Sequence, residues 1–327
     1  MKKGYIYILL STILFSSMEV ALKLTSASFN PLQITFLRFA IGTLVLLPFG
    51  ITTLKKRGVK LNGDDLKFFT LTGFIGIVVS MMIYQLAVIY APAAVVAVLF
   101  SCNPIFVTLF ALMLLHEKIY KHTVITLILS VIGILFVINP ASLGSHVAGM
   151  VLTILSAIAF ALYGVVGKKR AKKYGGFALT CFSFLMGSIE LLILIGLGNL
   201  SPVATLLTNG NLGIFAHVSI FTGISSANLL GLIYIGVFVT GFGYATYNLA
   251  METTSAATAS LVFFVKPVLA PILAMIFIHE AITFNMLIGI ILIVIGSLIS
   301  FIAGNKHSGE DPKTTEEVQE ILELDVE

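Results

Sequence analysis

The chain has little charge, only two cysteines and no tryptophan. Charged residues make up 10% of its 327 positions, against roughly 25% in a soluble domain, which excludes an ordinary soluble protein. Cys102 and Cys181 lie in apolar stretches without metal-ligand spacing, which excludes a disulfide framework and a zinc site. The sequence also has no phosphate-binding loop and no nucleophile–base–acid set. We therefore expect no catalytic residue, no metal and no cofactor.

Two His-Glu pairs begin like the HExxH motif of zinc proteases but do not complete it. They are His116-Glu117 and His279-Glu280, and neither is followed by the second histidine. We assign Glu117 and Glu280 an electrostatic role instead, because each precedes a helix whose N-terminal dipole favours a carboxylate.

Apolar residues take the place of the missing charge. They make up 58% of the chain, and the mean hydropathy is +1.07. Ten apolar runs are long enough, at roughly 20 residues, to cross a bilayer. The runs fall at 4–24, 32–53, 66–90, 93–116, 122–140, 147–168, 177–198, 228–250, 256–279 and 283–304. The predicted fold class is an all-α polytopic membrane protein with ten transmembrane helices.

The positive charges indicate the orientation of these helices. With the N-terminus in the cytoplasm, nearly all Lys and Arg side chains fall in cytoplasmic segments, as the positive-inside rule requires. Topology thus explains the basic excess, and nucleic-acid binding is not needed. We expect a multi-pass protein of the cell membrane with both termini cytoplasmic, and a monomer or weak homodimer.

The chain contains an internal repeat. Residues 93–117 match residues 256–280 at an offset of 163, with Pro104 on Pro267 and His116-Glu117 on His279-Glu280. The first helix matches the sixth at an offset of 145, so 199–227 is an insertion, which we expect to form an interfacial or partly re-entrant loop. Five helices per half make the second half enter the membrane inverted. We expect a first repeat at 1–140, an inverted repeat at 147–304 and an acidic cytoplasmic tail at 305–327.

Several motifs make the chain resemble the drug/metabolite transporter superfamily of the EamA type. They are the Phe15–Lys23 pattern of the first helix, Asn30-Pro31 followed by Arg38, and the two proline-containing helices that end in Glu117 and Glu280. The resemblance covers nearly all of 1–304 and implies ten helices in two inverted halves that move small metabolites, often amino acids outward. Glu19, at a position that is apolar in most members, and Lys266 depart from the family pattern.

Four ionisable residues stand inside the predicted spans, where a charge is expensive and marks function or a structural pair. Glu19 and Arg38 lie at similar depth and could pair, as could Glu190 and Lys266. We favour a structural role for Arg38 and Glu190. Glu19 and Lys266 are candidates for the solute site, because their helices would face the central cavity.

Uncharged polar residues on repeat-related positions complete the candidate site. Tyr84-Gln85 maps onto Tyr247-Asn248, and Asn103 onto Lys266. The first helix adds Ser17. These side chains could line a cavity for an amphipathic solute, or they could bridge helices for about 0.6 kcal/mol each.

Inverted repeats are the architecture of secondary transporters. We therefore predict alternating-access transport of small metabolites, amino acids or related compounds, with the solute and the lipid bilayer as partners. An alternative is a proton-coupled carrier of another solute class in which Glu19 is the coupling acid. A polytopic membrane enzyme or scaffold is a third hypothesis, and it would require a catalytic cluster at one membrane interface.

Overall fold

The computed structural model describes residues 2–116, 121–138, 146–254, 259 and 261–308, and in these ranges the regular structure is entirely helical. Eight helical segments are long and apolar enough to cross a membrane. They span Lys3–Thr25, Pro31–Lys56, Gly63–Tyr90, Ala93–Leu115, Val147–Tyr174, Gly176–Gly198, Ser226–Met251 and Leu261–Ile278. Each coincides with a predicted span.

The two remaining predicted spans, 122–140 and 283–304, coincide with shorter apolar stretches at Val124–Ile138 and Phe284–Ile299. The count of ten membrane helices therefore stays a prediction. Glu117 and the tail beyond residue 308 lie outside the described residues.

Several spans consist of more than one helix. The elements are α1 (Lys2–Ser16), α2 (Met18–Thr25), α3 (Pro31–Lys56), α4 (Gly63–Gly73), α5 (Met82–Tyr90), α6 (Ala93–Phe100), α7 (Asn103–Leu115), α8 (Lys121–Ile138), α9 (Val147–Tyr174), α10 (Gly176–Gly198), α11 (Ser201–Asn209), α12 (Ser226–Ile233), α13 (Gly243–Thr253), α14 (Leu261–Ile278) and α15 (Phe284–Ser308). Two π-helices, Phe74–Met81 and Tyr234–Phe242, connect α4 to α5 and α12 to α13.

Local sequence explains where the helices begin and break. Asn30 accepts from the Leu32 amide while Gln33 accepts from the Asn30 amide, a capping box that starts α3 at Pro31. The fourth span breaks before Asn103, and Pro104 occupies the first turn of α7, where a missing N–H costs nothing. In α14, Pro267 and Pro271 lie inside one helix.

Small residues let the helices approach closely. A Cβ on Gly73 would lie 2.6 Å from the Gly187 nitrogen, so α4 and α10 pack backbone to backbone. Gly133 and Gly289 bring α8 and α15 together in the same way. In a membrane, where lipid is as apolar as leucine, such packing is a main source of helix association.

The contacts between helices position the residues of the candidate site. The first span packs on α13 and α14, while α9 packs on α5 and α7. Of the insertion predicted at 199–227, residues 199–225 contain α11 and a short 3-10 helix and no membrane span is found in this described segment, while α12 begins at Ser226. Segment 199–225 covers the start of α3, where the Gln33 amide donates to the carbonyls of Ile220 and Thr222. The face of the bundle that includes this connection is called the distal face below.

Candidate solute-binding site

A buried ion pair lies inside the described bundle. Lys266 Nζ is 2.7 Å from Glu19 Oε1, and the two residues are 3% and 1% exposed. The Tyr84 hydroxyl donates to the same carboxylate oxygen. The break at Ser17 separates α1 from α2, and Glu19 lies in the first turn of α2. Three elements distant in sequence, α2, α5 and α14, thus meet at one carboxylate.

An aromatic ring borders this pair. The Phe100 ring meets the Tyr84 ring edge-to-face at 4.8 Å, and Lys266 Nζ lies 5.5 Å from the Phe100 centroid. An ammonium near a ring face is attracted by its quadrupole. Phe100 was not a candidate on sequence. It occupies an apolar run in which no single aromatic stands out.

Arg38 is fully buried but does not pair with Glu19 as its depth suggested. Its Nη1 contacts the Met18 sulfur at 3.8 Å, and the guanidinium lies over the Phe39 ring at 4.6 Å. Nε and Nη2 have no hydrogen-bond partner among the described residues. Lys266 takes the carboxylate instead, because α14 packs directly on α2.

Glu190 also differs from its expected pairing with Lys266. It lies on α10 at the edge of a groove of about 710 Å³ that is also lined by Leu71 of α4 and by Phe74 of the π-helix that follows. Both of these side chains are exposed on the apolar outside of the bundle. Neither carboxylate oxygen of Glu190 has a partner within the described part of the chain. Glu190 therefore lies apart from the central pair.

The uncharged candidate residues differ in burial and in hydrogen bonding. Tyr84 and Gln85 are fully buried, and both amide atoms of Gln85 lack a partner among the residues that the structure describes. Ser17 is half-buried, and its hydroxyl is 2.7 Å from the Tyr234 hydroxyl. The Asn103 amide donates to the Ala157 carbonyl at 2.8 Å, which is the helix-bridging alternative.

The second aromatic–amide pair lies elsewhere in the bundle. The Asn248 amide donates to the Tyr244 carbonyl of its own helix at 2.9 Å. The Tyr247 ring meets the Phe263 ring edge-to-face at 5.5 Å. This pair repeats the contact of Tyr84 with Phe100, since both residues shift by the repeat offset of 163.

Two charged residues at the distal face make contacts that the sequence did not predict. The Glu280 carboxylate accepts from the amides of Ala93 and Ala94 at 2.8 and 2.9 Å, which caps α6 rather than the helix that follows Glu280. Lys23 Nζ donates to the carbonyls of Val88 and Ala91 at the end of α5. Opposite charges thus clamp the turn between α5 and α6, each at the helix end whose dipole it complements.

The described residues contain no group of three or more His, Cys, Asp or Glu side chains arranged to hold a metal ion. Cys102 and Cys181 are free and buried. The Glu19–Lys266 site is therefore a buried, charged site in which several polar atoms have no hydrogen-bond partner among the described residues.

Comparison with known proteins gives this centre a family context. The model of the EamA-like transporter family matches residues 2–139 and 147–302. An uncharacterized transporter of Clostridium kluyveri is 38% identical over 314 residues, covering 94% of this chain and 95% of the relative. A pseudopaline exporter of Pseudomonas aeruginosa is 29% identical over 158 residues, covering 48% of this chain and 54% of the exporter.

A solved crystal structure has a similar fold, with a TM-score of 0.62 and 18% identity over 93% of this chain and 98% of its own. The resemblance of the sequence to the drug/metabolite transporters is confirmed, and the chain is a multi-pass membrane protein. On the family match along both halves and the similarity to the Clostridium protein, the chain belongs to the EamA-like transporter family.

Proposed function

We propose that the chain is a secondary transporter that moves small amphipathic metabolites, such as amino acids or related compounds, out of the cell by alternating access. The observation that carries this proposal is the buried Glu19–Lys266 pair, which joins the first half of the chain to the second. Replacing a buried ion pair by apolar residues is often neutral or stabilising. A buried ion pair between the two halves of a transporter is therefore better explained by function than by stability.

The proposed architecture is ten helices in two inverted halves. Repeat-related positions have matching backbone features, which support it. His116 and His279 both adopt left-handed backbone at φ 54° and 56°, and a π-helix precedes Tyr84 as another precedes Tyr247. π-helical segments are frequent at functional sites, because they break the regular ladder.

The contacts of Glu280 and Lys23 with the turn between α5 and α6 suggest how the two halves alternate between open and closed states. The repeat maps Glu280 onto Glu117 and the Ala93-Ala94 pair onto residues 256–257, which lie outside the described residues. We propose that the Glu280 contact closes the distal side in this state. The reciprocal Glu117 contact would close the other side in the opposite state.

The proposed solute site comprises Lys266, Glu19, Asn103, Tyr84, Gln85, Tyr247, Asn248 and Ser17. Lys266 and Glu19 supply its charge, and the second Glu19 oxygen lacks a partner among the described side chains. Tyr84 donates to Glu19, Gln85 follows Tyr84 in the chain, and Ser17 precedes Glu19 by two residues. Asn103, Tyr247 and Asn248 would contribute in the state related by the repeat.

Flux of radiolabelled metabolites in proteoliposomes tests the proposal. We expect saturable efflux of at least one amino acid or related compound selected by thermal shift, and a strong loss of it in Lys266→Met. Glu190→Gln is the matched control, because it neutralises an intramembrane charge away from the pair. A folded protein without saturable flux for any selected compound would refute this function. The export direction is supported by the similarity of half the chain to the pseudopaline exporter.

Proton coupling through Glu19 is a second candidate function. It is favoured by the second carboxylate oxygen of Glu19, Oε2, which has no hydrogen-bond partner among the described residues. It predicts that Glu19→Gln keeps solute exchange but loses stimulation by a pH gradient. An unchanged pH-gradient response in the variant would exclude it.

The proposed location is the cell membrane, with both termini in the cytoplasm and a monomer or weak homodimer as the unit. The contact of Arg57 with the Lys172 carbonyl at 2.8 Å brings two basic segments to one face, as this orientation requires.

A further inference from the structure

We propose that Arg38 is the anion-binding group of the transport site and takes the carboxylate of the solute. This inference rests on the proposed transport function. Arg38 is 1% exposed, yet two of its three guanidinium nitrogens, Nε and Nη2, have no hydrogen-bond partner in the described ranges. The third, Nη1, donates to the weakly accepting sulfur of Met18. A buried cation in this condition requires an acceptor, because unpaired buried charge is costly.

The charges around Arg38 do not balance. Glu19, Lys266 and Arg38 are all buried, so this part of the bundle contains two cations and one carboxylate. That carboxylate is engaged through Oε1 by both Lys266 and Tyr84. The centre therefore has an excess of one positive charge, unless a further anion enters.

The other described carboxylates near the interior are accounted for. Asp65, which is also buried, lies 2.5 Å from Lys173 and accepts from the Tyr174 hydroxyl at 2.6 Å, on the face opposite the distal one. Glu190 borders the outer groove, and Glu280 caps α6. No carboxylate of the described residues is therefore left to accept from Nε and Nη2 of Arg38, and the solute is an anion that the proposed function supplies.

The position of Arg38 suits a solute ligand. Arg38 follows the start of α3 by seven residues, and Glu19 precedes the end of α2 by six, which places both about 10 Å below the distal helix ends. The Phe39 ring, braced edge-to-face by Phe184 at 4.7 Å, lies against the guanidinium and leaves its fork free. Gln85, next to Tyr84, is a further buried group with unused donors.

This geometry selects the chemical class of solute. A guanidinium fork binds a carboxylate through two parallel N–H···O bonds, a match that an ammonium does not reproduce. An amine without a carboxylate would add a third cation to a centre that is already positive. Carboxylate-bearing metabolites therefore fit this site, and their decarboxylated amines do not.

Matched triplets of compounds test this assignment on the purified full-length protein. Each triplet keeps one side chain and changes the head group, for example 3-phenylpropanoate, phenylalanine and phenethylamine, or 4-methylpentanoate, leucine and isoamylamine. We expect millimolar acid or amino acid to raise the melting temperature of the wild type, and the amine not to. Arg38→Gln should weaken carboxylate binding by about 10-fold or more, because charge-assisted hydrogen bonds are lost.

Two further variants complete the design. Arg38→Lys keeps the charge but loses the fork, so it should also weaken carboxylate binding, and it decides the matter if Arg38→Gln does not fold. Arg57→Gln is the matched control, because it removes an arginine far from the pair and should bind as the wild type does. Without solute, Arg38→Gln should melt at or above the wild-type temperature, since it removes an unpaired buried charge.

Several results would overturn the assignment: carboxylates that bind the Arg38 variants as tightly as the wild type, amines that stabilise while carboxylates do not, or no carboxylate that stabilises the wild type. A lower melting temperature of Arg38→Gln with carboxylate binding retained would make Arg38 structural. Flux measured on the same preparations separates the two proposals. Arg38-dependent binding without flux would refute transport and leave the anion site standing.

Discussion

The Glu19–Lys266 pair makes a quantitative prediction about stability. We consider Glu19→Gln, Lys266→Met and the double variant, each close in volume to the residue replaced. At 2.7 Å and an effective dielectric constant of about 20, the attraction between the two charges is about 6 kcal/mol. Desolvation offsets much of this gain, so the pair itself adds little net stability.

Breaking the pair is a different matter, because one charge stays behind in an apolar interior. Lys266→Met leaves the Glu19 carboxylate with only the Tyr84 hydroxyl, and we expect it to lower the free energy of unfolding by about 3–5 kcal/mol. Glu19→Gln should cost at least as much, because it leaves the buried Lys266 and Arg38 cations without a carboxylate, although its amide oxygen can still accept from Tyr84 and Lys266. The double variant should be more stable than Lys266→Met alone.

Reversible unfolding in mixed micelles measures these free energies and gives the coupling between the two sites. We expect a coupling well above the roughly 0.5 kcal/mol within which independent sites add. Glu190→Gln is the matched control, and its stability should stay within about 0.5 kcal/mol of the wild type. Additive effects of the two substitutions, or a fully stable Lys266→Met, would refute the ion-pair reasoning.

Three further predictions concern the two faces of the bundle. Glu280→Ala removes the acceptor of the Ala93 and Ala94 amides and should lower the free energy of unfolding by about 1–2 kcal/mol. Glu280→Gln should lower it less. Equal melting temperatures of the wild type and both variants in detergent would contradict this. Asp65→Asn weakens the contacts with Lys173 and Tyr174 and should cost about 1–3 kcal/mol by the same assay, where no change would argue against the network. In intact cells, a cysteine at position 57 or 170 should react with impermeant maleimide only after lysis, and one at position 222 before it; labelling of position 57 from outside would reverse the proposed orientation.

Sequence reasoning succeeded where a one-dimensional signal was sufficient. The length of each apolar run reports whether a helix can span a bilayer, and eight predicted spans coincide with long apolar helices. The family could be recognised for a related reason, since its motifs lie at fixed separations along the chain. The predicted spans at 122–140 and 283–304 coincide with the apolar stretches Val124–Ile138 and Phe284–Ile299, so the count of ten membrane helices stays a prediction.

The depth of a residue along its helix correctly predicted which ionisable residues are buried, but not which residues they contact. Position along a helix places Glu19, Arg38, Glu190 and Lys266 inside the membrane, and all four are at least partly buried in the structure. Depth is only one coordinate, however. The rotation of each helix and the identity of its neighbours decide contact, and these depend on packing between α2, α5 and α14 that no local pattern encodes.

The sequence by itself determined the membrane class, the apolar spans, the repeat and the set of ionisable groups, because each is a property of composition or spacing. Only the tertiary structure decided that Lys266 meets Glu19, that two nitrogens of Arg38 are left without an acceptor among the described residues, and that Glu280 caps α6 in the other half of the chain. The reason is physical. A buried charge must find a partner in three dimensions, and helices far apart in sequence supply most of the candidates.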